Sequence, residues 1–165
     1  MESYTVAKGD ALWHPIAEES ILVHPHIVNN VDAWGSGFAM DISEKWPEPE
    51  QKYHQAHPMT LGDTQLVKVE NNRYVFNMCA QNETIHTNGM PIDLRALDRC
   101  LVKLEVEAAS LQRGKVRSLE VHAPKFGADR AIGDWIAIEK LTRLRLCQPD
   151  SGVTWTYIYE ETKHK

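Results

Sequence analysis

Short apolar runs alternate with longer amphipathic segments along this sequence, and this alternation constrains the fold more than any other feature. Strands interleaved with helices are typical of a layered α/β domain and argue against an all-β sandwich. The apolar runs predict strands at residues 20–26, 66–69, 74–78, 116–121 and 153–159. The amphipathic segments predict helices at residues 91–112 and 133–146, with a third from about residue 37 to 46.

The segment 91–112 has the clearest helical pattern. Asp93 suits its start and Gly114 its end. Its apolar face consists of Leu94, Leu97, Leu101, Leu104, Ala108 and Leu111. Between two predicted strands, the pair Asn71-Asn72 favours a tight hairpin turn, because Asn tolerates a left-handed backbone. The hairpin and the alternating last strand predict a mixed sheet, and so a three-layer α/β/α fold.

Length, charge and cysteines exclude several classes of protein. With 165 residues and a net charge of -5, the chain fits one domain at residues 1–165 and lacks the basic balance of a duplex nucleic-acid binder. The three cysteines form no CxxC pair, so neither a disulfide framework nor a zinc site is indicated. No apolar run reaches the ~20 residues that span a bilayer, and no secretory signal pattern is present. We therefore expect a cytoplasmic protein without a membrane or nucleic-acid partner.

Residues 26–39 form the first candidate site, where a predicted strand leads through polar residues and a Gly-x-Gly into a helix. Gly35 and Gly37 would let a ligand approach the backbone, and the helix N-terminus would favour an anion. An ordinary strand-to-helix turn is the alternative, and the Gly-x-Gly alone favours it. The third glycine of a dinucleotide fingerprint is missing, and Trp34 excludes a serine-hydrolase elbow at Ser36.

Residues 123–135 form a second loop of the same kind, again between a predicted strand and a predicted helix. Ligands of α/β proteins bind beyond the carboxyl ends of the strands, so the two loops could converge on one ligand. A plain surface loop is the open alternative.

Four blocks of sequence, in order along most of the chain, resemble the macro domain family. They are the first loop with His26, Asn29, Gly35, Ser36, Gly37 and Ala39; Leu61-Gly62-Asp63; the hairpin end with Val75, Asn77, Met78 and Gln81; and the second loop with Pro124, Gly127, Ala131, Gly133 and Trp135. The chain looks closest to the branch of ADP-ribose-1''-phosphate phosphatases and ADP-ribosyl-ester hydrolases. The resemblance implies an α/β/α fold and a site for ADP-ribose.

The resemblance also implies roles for individual residues. Asp10 would accept a hydrogen bond from the adenine amino group, and Asn29 would hold the hydroxyls of the distal ribose. Phe126 or Trp34 would line the ribose or adenine pocket. Backbone amides would face the ligand at Gly35, Ser36 and Gly37, and again from Gly127 to Gly133, including Ala128 and Ala131.

Two departures from the family pattern lie in the second loop. Asp129 and Ile132 stand where glycines are usual, and their side chains could weaken or alter the binding of a diphosphate. The lysine that acts as a covalent nucleophile in one hydrolase branch has no counterpart near Gln81-Asn82, and its partner aspartate falls on Ala131. A lysyl-ADP-ribose mechanism is therefore not expected.

Several polar residues have both a catalytic and a structural interpretation. His26 could act as a general acid or base, or be a core histidine satisfied by the backbone. Asp32 and Asp134 could each position a water near the distal phosphate, while Asp134 also suits the cap of a helix. Asn29 could hold the ribose diol or simply shape a turn.

The other histidines indicate no metal centre. His24 and His26 would lie on the same face of a strand, but two ligands are too few and the spacing specifies no third. His54 and His57 are expected to be solvated helix residues. We therefore predict neither a metal nor a cofactor.

The functional hypothesis is ADP-ribose binding with hydrolysis of a distal-ribose phosphate or an ADP-ribosyl ester. Asn29, His26 and Asp134 are the candidate catalytic residues, and a bound water would attack. The partner would be ADP-ribose, ADP-ribose-1''-phosphate or an ADP-ribosylated protein, in a bacterium or a phage. Two alternatives stay open: a non-catalytic reader or sequestering module, and a macro-like interaction scaffold without a ligand.

Overall fold

A computed structural model of the chain describes residues 3–13, 19–35, 37–83, 92–113, 118–126 and 134–160. Six strands and four α-helices lie within these ranges. In chain order they are β1 (Tyr4–Lys8), β2 (Ser20–Asn29), α1 (Phe38–Lys45), α2 (Glu48–Gln55), β3 (Thr64–Glu70), β4 (Arg73–Gln81), α3 (Leu94–Gln112), β5 (Ser118–Pro124), α4 (Trp135–Leu146) and β6 (Trp155–Glu160). A one-turn 3-10 helix, Ala11–Trp13, follows β1.

The strands form one sheet in the order β1-β6-β5-β2-β4-β3. Neighbouring strands are parallel except β3 and β4, which form the predicted hairpin around Asn71-Asn72. Asn72 has a φ of 64° in that turn, the left-handed conformation that Asn tolerates. The mixed α/β sheet predicted from the sequence is therefore confirmed.

Helices cover both faces of the sheet. Successive residues of a strand point to opposite faces, and two neighbours in β4 contact different helices. Phe76 of β4 belongs to a buried cluster with Leu97 and Leu101 of α3. The adjacent Val75 packs instead with Ile42 of α1. α4 packs on α3, and α2 packs on β3 and β4. These contacts give the three layers expected from the sequence.

The two long helices differ in how far their apolar residues are buried. Asp93 starts α3, since its side chain accepts a hydrogen bond from the backbone N–H of Ala96 at 2.9 Å. Leu97, like the other central leucines of α3, is fully buried. In α4, however, Ile136 is 67% exposed and Leu144 51% exposed. Those two side chains therefore face away from the core.

Some elements differ from the predicted ones. β1 and α2 lack a strong apolar pattern, and the sequence did not specify them. Pro47 and Pro49 lie at the start of α2, where a proline is tolerated because first-turn amides have no helical partner. The predicted strand 20–26 continues to Asn29 as β2. The predicted strand 116–121 is found later, at Ser118–Pro124.

No helix within the described ranges is long and apolar enough to cross a membrane. The three cysteines of the chain all lie in those ranges and are free thiols. Burial raises the pKa of Cys79 to about 11 and that of Cys100 to about 12. Both thiols are therefore protonated at neutral pH and are poor nucleophiles.

Candidate functional site

The carboxyl ends of the parallel strands meet along one edge of the sheet. β2 and β5 are direct neighbours, so the loops that follow Asn29 and Pro124 leave the sheet side by side. From β2 the chain continues to β3 and β4 on one side, whereas β5 leads to β6 on the other. The boundary between β2 and β5 is therefore a topological switch point, where α/β sheets bind their ligands.

Part of the predicted site lies outside the described residues. These residues are Ser36 in the first loop, and Gly127, Ala128, Asp129, Ala131, Ile132 and Gly133 in the second. The contacts expected of them stay predictions.

The Asn29 carboxamide shapes the turn that follows β2. Its Oδ1 accepts from the backbone N–H groups of Val31 and Ala33 at 3.1 and 3.2 Å. Its Nδ2 donates to the carbonyl of Ala33 at 2.6 Å. An amide nitrogen carries two hydrogens, and this bond uses one of them. The turn interpretation of Asn29 therefore describes the structure. Within the described ranges the second Nδ2 hydrogen has no partner, so it could make the predicted ribose contact.

Tyr53 of α2 stabilises the same turn through its hydroxyl. Its hydroxyl lies 2.6 Å from Asn29 Oδ1 and 2.9 Å from the Asn29 carbonyl oxygen. The Tyr53 ring, which is fully buried, packs against Trp34 at a centroid distance of 5.4 Å. The indole of Trp34 donates to the carbonyl of Ala39 at 3.0 Å, which joins the loop to α1. The loop after β2 therefore contacts both α1 and α2.

Gly35 and Gly37 border open space at the start of α1. Gly37 directly precedes the helix and has a φ of 68° and a ψ of -126°, a conformation that requires glycine. A Cβ placed on either glycine would meet no atom within 4 Å among the described residues. Among the described residues no side chain caps α1, so its first-turn amides and the positive end of its dipole suit an anionic ligand.

His26 lies beneath this loop and is buried, with 3% of its surface exposed. Its Nε2 donates to Oδ1 of Asn77 at 2.6 Å, and its ring packs edge-on against Trp34 at 5.3 Å. Burial lowers the pKa of His26 from 6.5 to about 4, although the Asn77 hydrogen bond opposes this. The ring is therefore neutral at physiological pH. These contacts favour a core histidine over an acid or base, and its partner is a side chain rather than the backbone.

Asp32 pairs with histidines of the α2 region. Its Oδ1 lies 2.6 Å from Nδ1 of His54 and 3.6 Å from Nε2 of His57. His54 is a partly exposed helix residue, as expected, with a side chain 41% exposed. The prediction for His57 is wrong: it follows the end of α2, and its side chain is only 9% exposed. The ring of Tyr53, packed edge-on at 4.4 Å, covers it.

The described ends of the second loop are held within the fold. Phe126 is 4% exposed and packs edge-on against Trp135 at 6.1 Å, so its ring belongs to the core. Asp134 caps α4 by accepting from the N–H groups of Ile136 and Ala137 at 3.1 and 3.4 Å. The capping interpretation of Asp134 therefore describes its contacts, while its water-positioning role stays a prediction.

Asp10 lies between β1 and the 3-10 helix. Its Oδ1 accepts from the N–H of Leu12 at 2.9 Å, and the 3-10 helix contacts β5. The chain after β1 therefore crosses back over the sheet towards the strand that carries the second loop. This course brings Asp10 to the same side of the sheet as α1, because Leu12 packs with Ile42.

The described ranges contain no group of three or more residues suited to hold a metal ion. His24 and His26 do share a face of β2, but each has its own hydrogen bonds. His24 Nδ1 lies 2.9 Å from the carbonyl oxygen of His122, and its Nε2 lies 2.8 Å from Nη1 of Arg73. Arginine only donates, so His24 Nε2 accepts and its Nδ1 donates, which requires a neutral ring.

Three residues that shape the site escaped the sequence analysis: Tyr53, His54 as a partner of Asp32, and Asn77 as a partner of His26. Asn77 stood in a quoted motif, where a buried amide on a strand could have suggested a polar partner. Tyr53 and His54 lie in a polar helix without a motif, and no sequence signal pointed to them.

Solved structures of similar fold match nearly the whole chain. A protein from Bacteroides thetaiotaomicron is 31% identical, with a TM-score of 0.80 over 94% of this chain and 98% of that one. A macrodomain protein from Streptomyces coelicolor is 28% identical, with a TM-score of 0.75 over 98% and 99% of the two chains. A macrodomain of Trypanosoma brucei, in complex with ADP-ribose, is 12% identical, with a TM-score of 0.65 over 98% and 64%. No protein-family model and no curated protein matches the sequence.

Proposed function

The chain belongs to the macro domain family, and from this premise we propose that it binds ADP-ribose at the carboxyl edge of the sheet. The diphosphate would lie between the loops that follow β2 and β5. The Trypanosoma brucei neighbour, which holds ADP-ribose, supports the proposal through its fold. Because that neighbour is only 12% identical, we infer no individual ligand contact from it.

One observation carries the proposal: the two glycine-bearing loops leave neighbouring strands at a topological switch point. Gly35 and Gly37 leave room for a ligand to reach the backbone. A diphosphate needs several N–H donors and a positive potential, and a helix N-terminus beside glycines offers both. A phosphate of ADP-ribose would therefore be held next to the start of α1.

The remaining groups would orient the rest of the ligand. The second hydrogen of Asn29 Nδ2 would donate to a hydroxyl of the distal ribose, without adding charge beside the phosphate. Asp10 would accept from the adenine amino group, since its carboxylate can accept more hydrogen bonds than the one from Leu12. Trp34 would contribute an apolar wall beside the loop.

Isothermal calorimetry with ADP-ribose tests binding, and Gly35→Glu is the sharpest variant. A Cβ at this position would meet no atom of the described residues within 4 Å, so the new side chain should leave the fold intact while its charge repels the diphosphate. Val106→Glu, at a side chain 65% exposed on α3, adds the same charge on the face of the sheet opposite α1 and serves as the control. Wild type and control should bind alike, and Gly35→Glu should bind at least ten-fold more weakly, which corresponds to about 1.4 kcal/mol. Equal binding by all three proteins would contradict the proposed site.

We further propose, as the catalytic form of this function, hydrolysis of a distal-ribose phosphate or an ADP-ribosyl ester. Loop amides would stabilise the developing charge, and fixing the diphosphate would orient the distal ribose towards a bound water. Phosphate release from ADP-ribose-1''-phosphate, compared with buffer and with Gly35→Glu, is the assay. Release no faster than in buffer would refute hydrolysis of the distal-ribose phosphate, and release of ADP-ribose from an ADP-ribosylated protein tests the ester in the same way; neither result bears on binding.

A reader that binds without turnover is the second candidate, and a specific observation favours it. The three catalytic candidates already have structural partners: His26 is buried and neutral, Asn29 closes a turn, and Asp134 caps α4. Saturable ADP-ribose binding with no product after prolonged incubation would favour the reader. For either candidate a cytoplasmic location is part of the proposal, consistent with three free thiols.

A further inference from the structure

The loop after β2 is fastened to α2 through the carboxylate of Asp32. Asp32 has a φ of 61°, a left-handed conformation that residues other than glycine adopt only rarely. Its Oδ1 lies 2.6 Å from Nδ1 of His54. The same loop carries the Asn29 turn and Gly35. A contact that holds Asp32 therefore acts on the backbone that would face the ligand.

His54 stands between two carboxylates. Its Nδ1 contacts Asp32 at 2.6 Å, and its Nε2 contacts Oε2 of Glu50 at 3.1 Å. Ionised carboxylates only accept hydrogen bonds, so both contacts are hydrogen bonds only when both ring nitrogens carry hydrogen. A neutral ring would turn a lone pair towards one of the two carboxylates. The geometry therefore fits a charged imidazolium and would be disrupted by its loss.

The surroundings of His54 support the charged state. The titratable groups that face it are Asp32 from the loop and Glu50 and Tyr53 from α2. His57, just beyond the helix, faces Asp32 instead, with its Nε2 3.6 Å from Asp32 Oδ1. The Asp32 hydrogen bond, with a further contribution from Glu50, raises the pKa of His54 above 6.5. The ring is partly exposed, so it can exchange its proton with solvent.

We propose that Asp32 and His54 are positioning residues, whose charged hydrogen bond fixes the ligand-binding loop, so that ADP-ribose affinity falls when His54 loses its proton. The proposal rests on the proposed ADP-ribose binding. The ion pair itself is a property of the free protein and is tested separately from the ligand.

The first experiment uses the protein without ligand. Nitrogen-detected NMR should find the His54 ring titrating above the value of an exposed histidine, and Asp32→Asn should bring it down. Hydrogen exchange of the amides of residues 30–35, corrected for intrinsic pH dependence, should accelerate as His54 deprotonates in wild type. In His54→Gln the exchange should already be fast, without that additional pH dependence. The proposal would be overturned if the His54 ring titrated like an exposed histidine, or if hydrogen exchange of the loop amides did not depend on the protonation of His54.

The second experiment measures ADP-ribose affinity at about pH 6 and about pH 8.5, a range in which the diphosphate stays fully ionised. Wild-type affinity should weaken by about two- to five-fold at the higher pH, the size expected for a partly exposed ion pair. His54→Gln should bind with the weaker affinity at both values, and the matched control Gln51→Ala should keep the wild-type profile. A flat wild-type profile would overturn the positioning role. Absence of binding at both pH values would instead refute the proposed function, and the first experiment would still decide the ion pair.

Discussion

Acidification should destabilise this protein through His26. The side chain is buried, and burial lowers the pKa of its imidazole from 6.5 to about 4. In the unfolded chain the ring takes up a proton at its ordinary pKa, so the unfolded state binds more protons between these two values. The contribution of His26 to stability is therefore complete above the unfolded pKa, and it is lost as the pH falls towards the folded one.

The size of the effect follows from the two pKa values. They differ by roughly 2.5, and each unit corresponds to about 1.36 kcal/mol, so full protonation of His26 should lower the free energy of unfolding by about 3 kcal/mol. About 2 kcal/mol of this should already be lost at about pH 5, where the unfolded ring is protonated and the folded ring is not. That is a large share of the roughly 5–15 kcal/mol that stabilises an ordinary domain.

Urea unfolding followed by tryptophan fluorescence measures this loss, at about pH 7.5 and about pH 5, in wild type and in His26→Gln. Glutamine keeps an N–H for Asn77 but cannot take up a proton. The free energy of unfolding should therefore fall by about 2 kcal/mol less in the variant than in wild type. Comparison of the two proteins cancels the other titrating groups. An equal fall in both would refute the reasoning, because it would mean that the His26 ring titrates alike in both states.

His54→Gln is a control in which the pH dependence of stability should change in the opposite direction. The Asp32 hydrogen bond raises the pKa of His54, so the stability it contributes is present below the unfolded pKa and is lost as the pH rises through the raised value. Removing the ring should therefore make the fall on acidification steeper than in wild type, whereas His26→Gln makes it shallower.

Four further substitutions test individual positions. Asp134→Ala should destabilise by about 1 kcal/mol through loss of the α4 cap, detectable as a lower midpoint of thermal unfolding. Gly152→Ala should lower the free energy of unfolding in urea by about 1–3 kcal/mol, because its Cβ would collide with the backbone of Ala108 and Ala109 in α3. Gly35→Ala should change the urea midpoint little, because its Cβ would meet none of the described atoms within 4 Å. Tyr53→Phe should cost about 1 kcal/mol and speed hydrogen exchange in the loop, since the hydrogen bond to Asn29 is lost.

The sequence predicted those elements that local chemistry determines. α3 follows from its leucine spacing and the Asp93 cap, and the hairpin follows from Asn71-Asn72. α2 could not be found this way, because only Pro49 and Tyr53 are buried in it. A helix with so few buried residues has no apolar period, and tertiary packing rather than pattern maintains it.

Within the candidate site, the sequence located the loops but not the long-range hydrogen bonds that stabilise them. Gly37 was found because its backbone conformation requires glycine, a constraint that acts on a single residue. Tyr53 contacts Asn29 across 24 residues of chain, and no motif links the two positions. The same holds for His26 and Asn77, which lie 51 residues apart and meet only because β2 pairs with β4.

Asn29 shows why a motif residue can be a poor test of function. Its carboxamide forms hydrogen bonds with Val31, Ala33 and Tyr53 in the free protein, so Asn29→Ala would loosen the loop even if no ligand ever touched the side chain. Weaker binding by that variant would fit a ribose contact and a disordered turn equally well. Gly35→Glu avoids this ambiguity, because it changes the charge facing the ligand and leaves the Asn29 side chain, with its hydrogen bonds to the turn, in place.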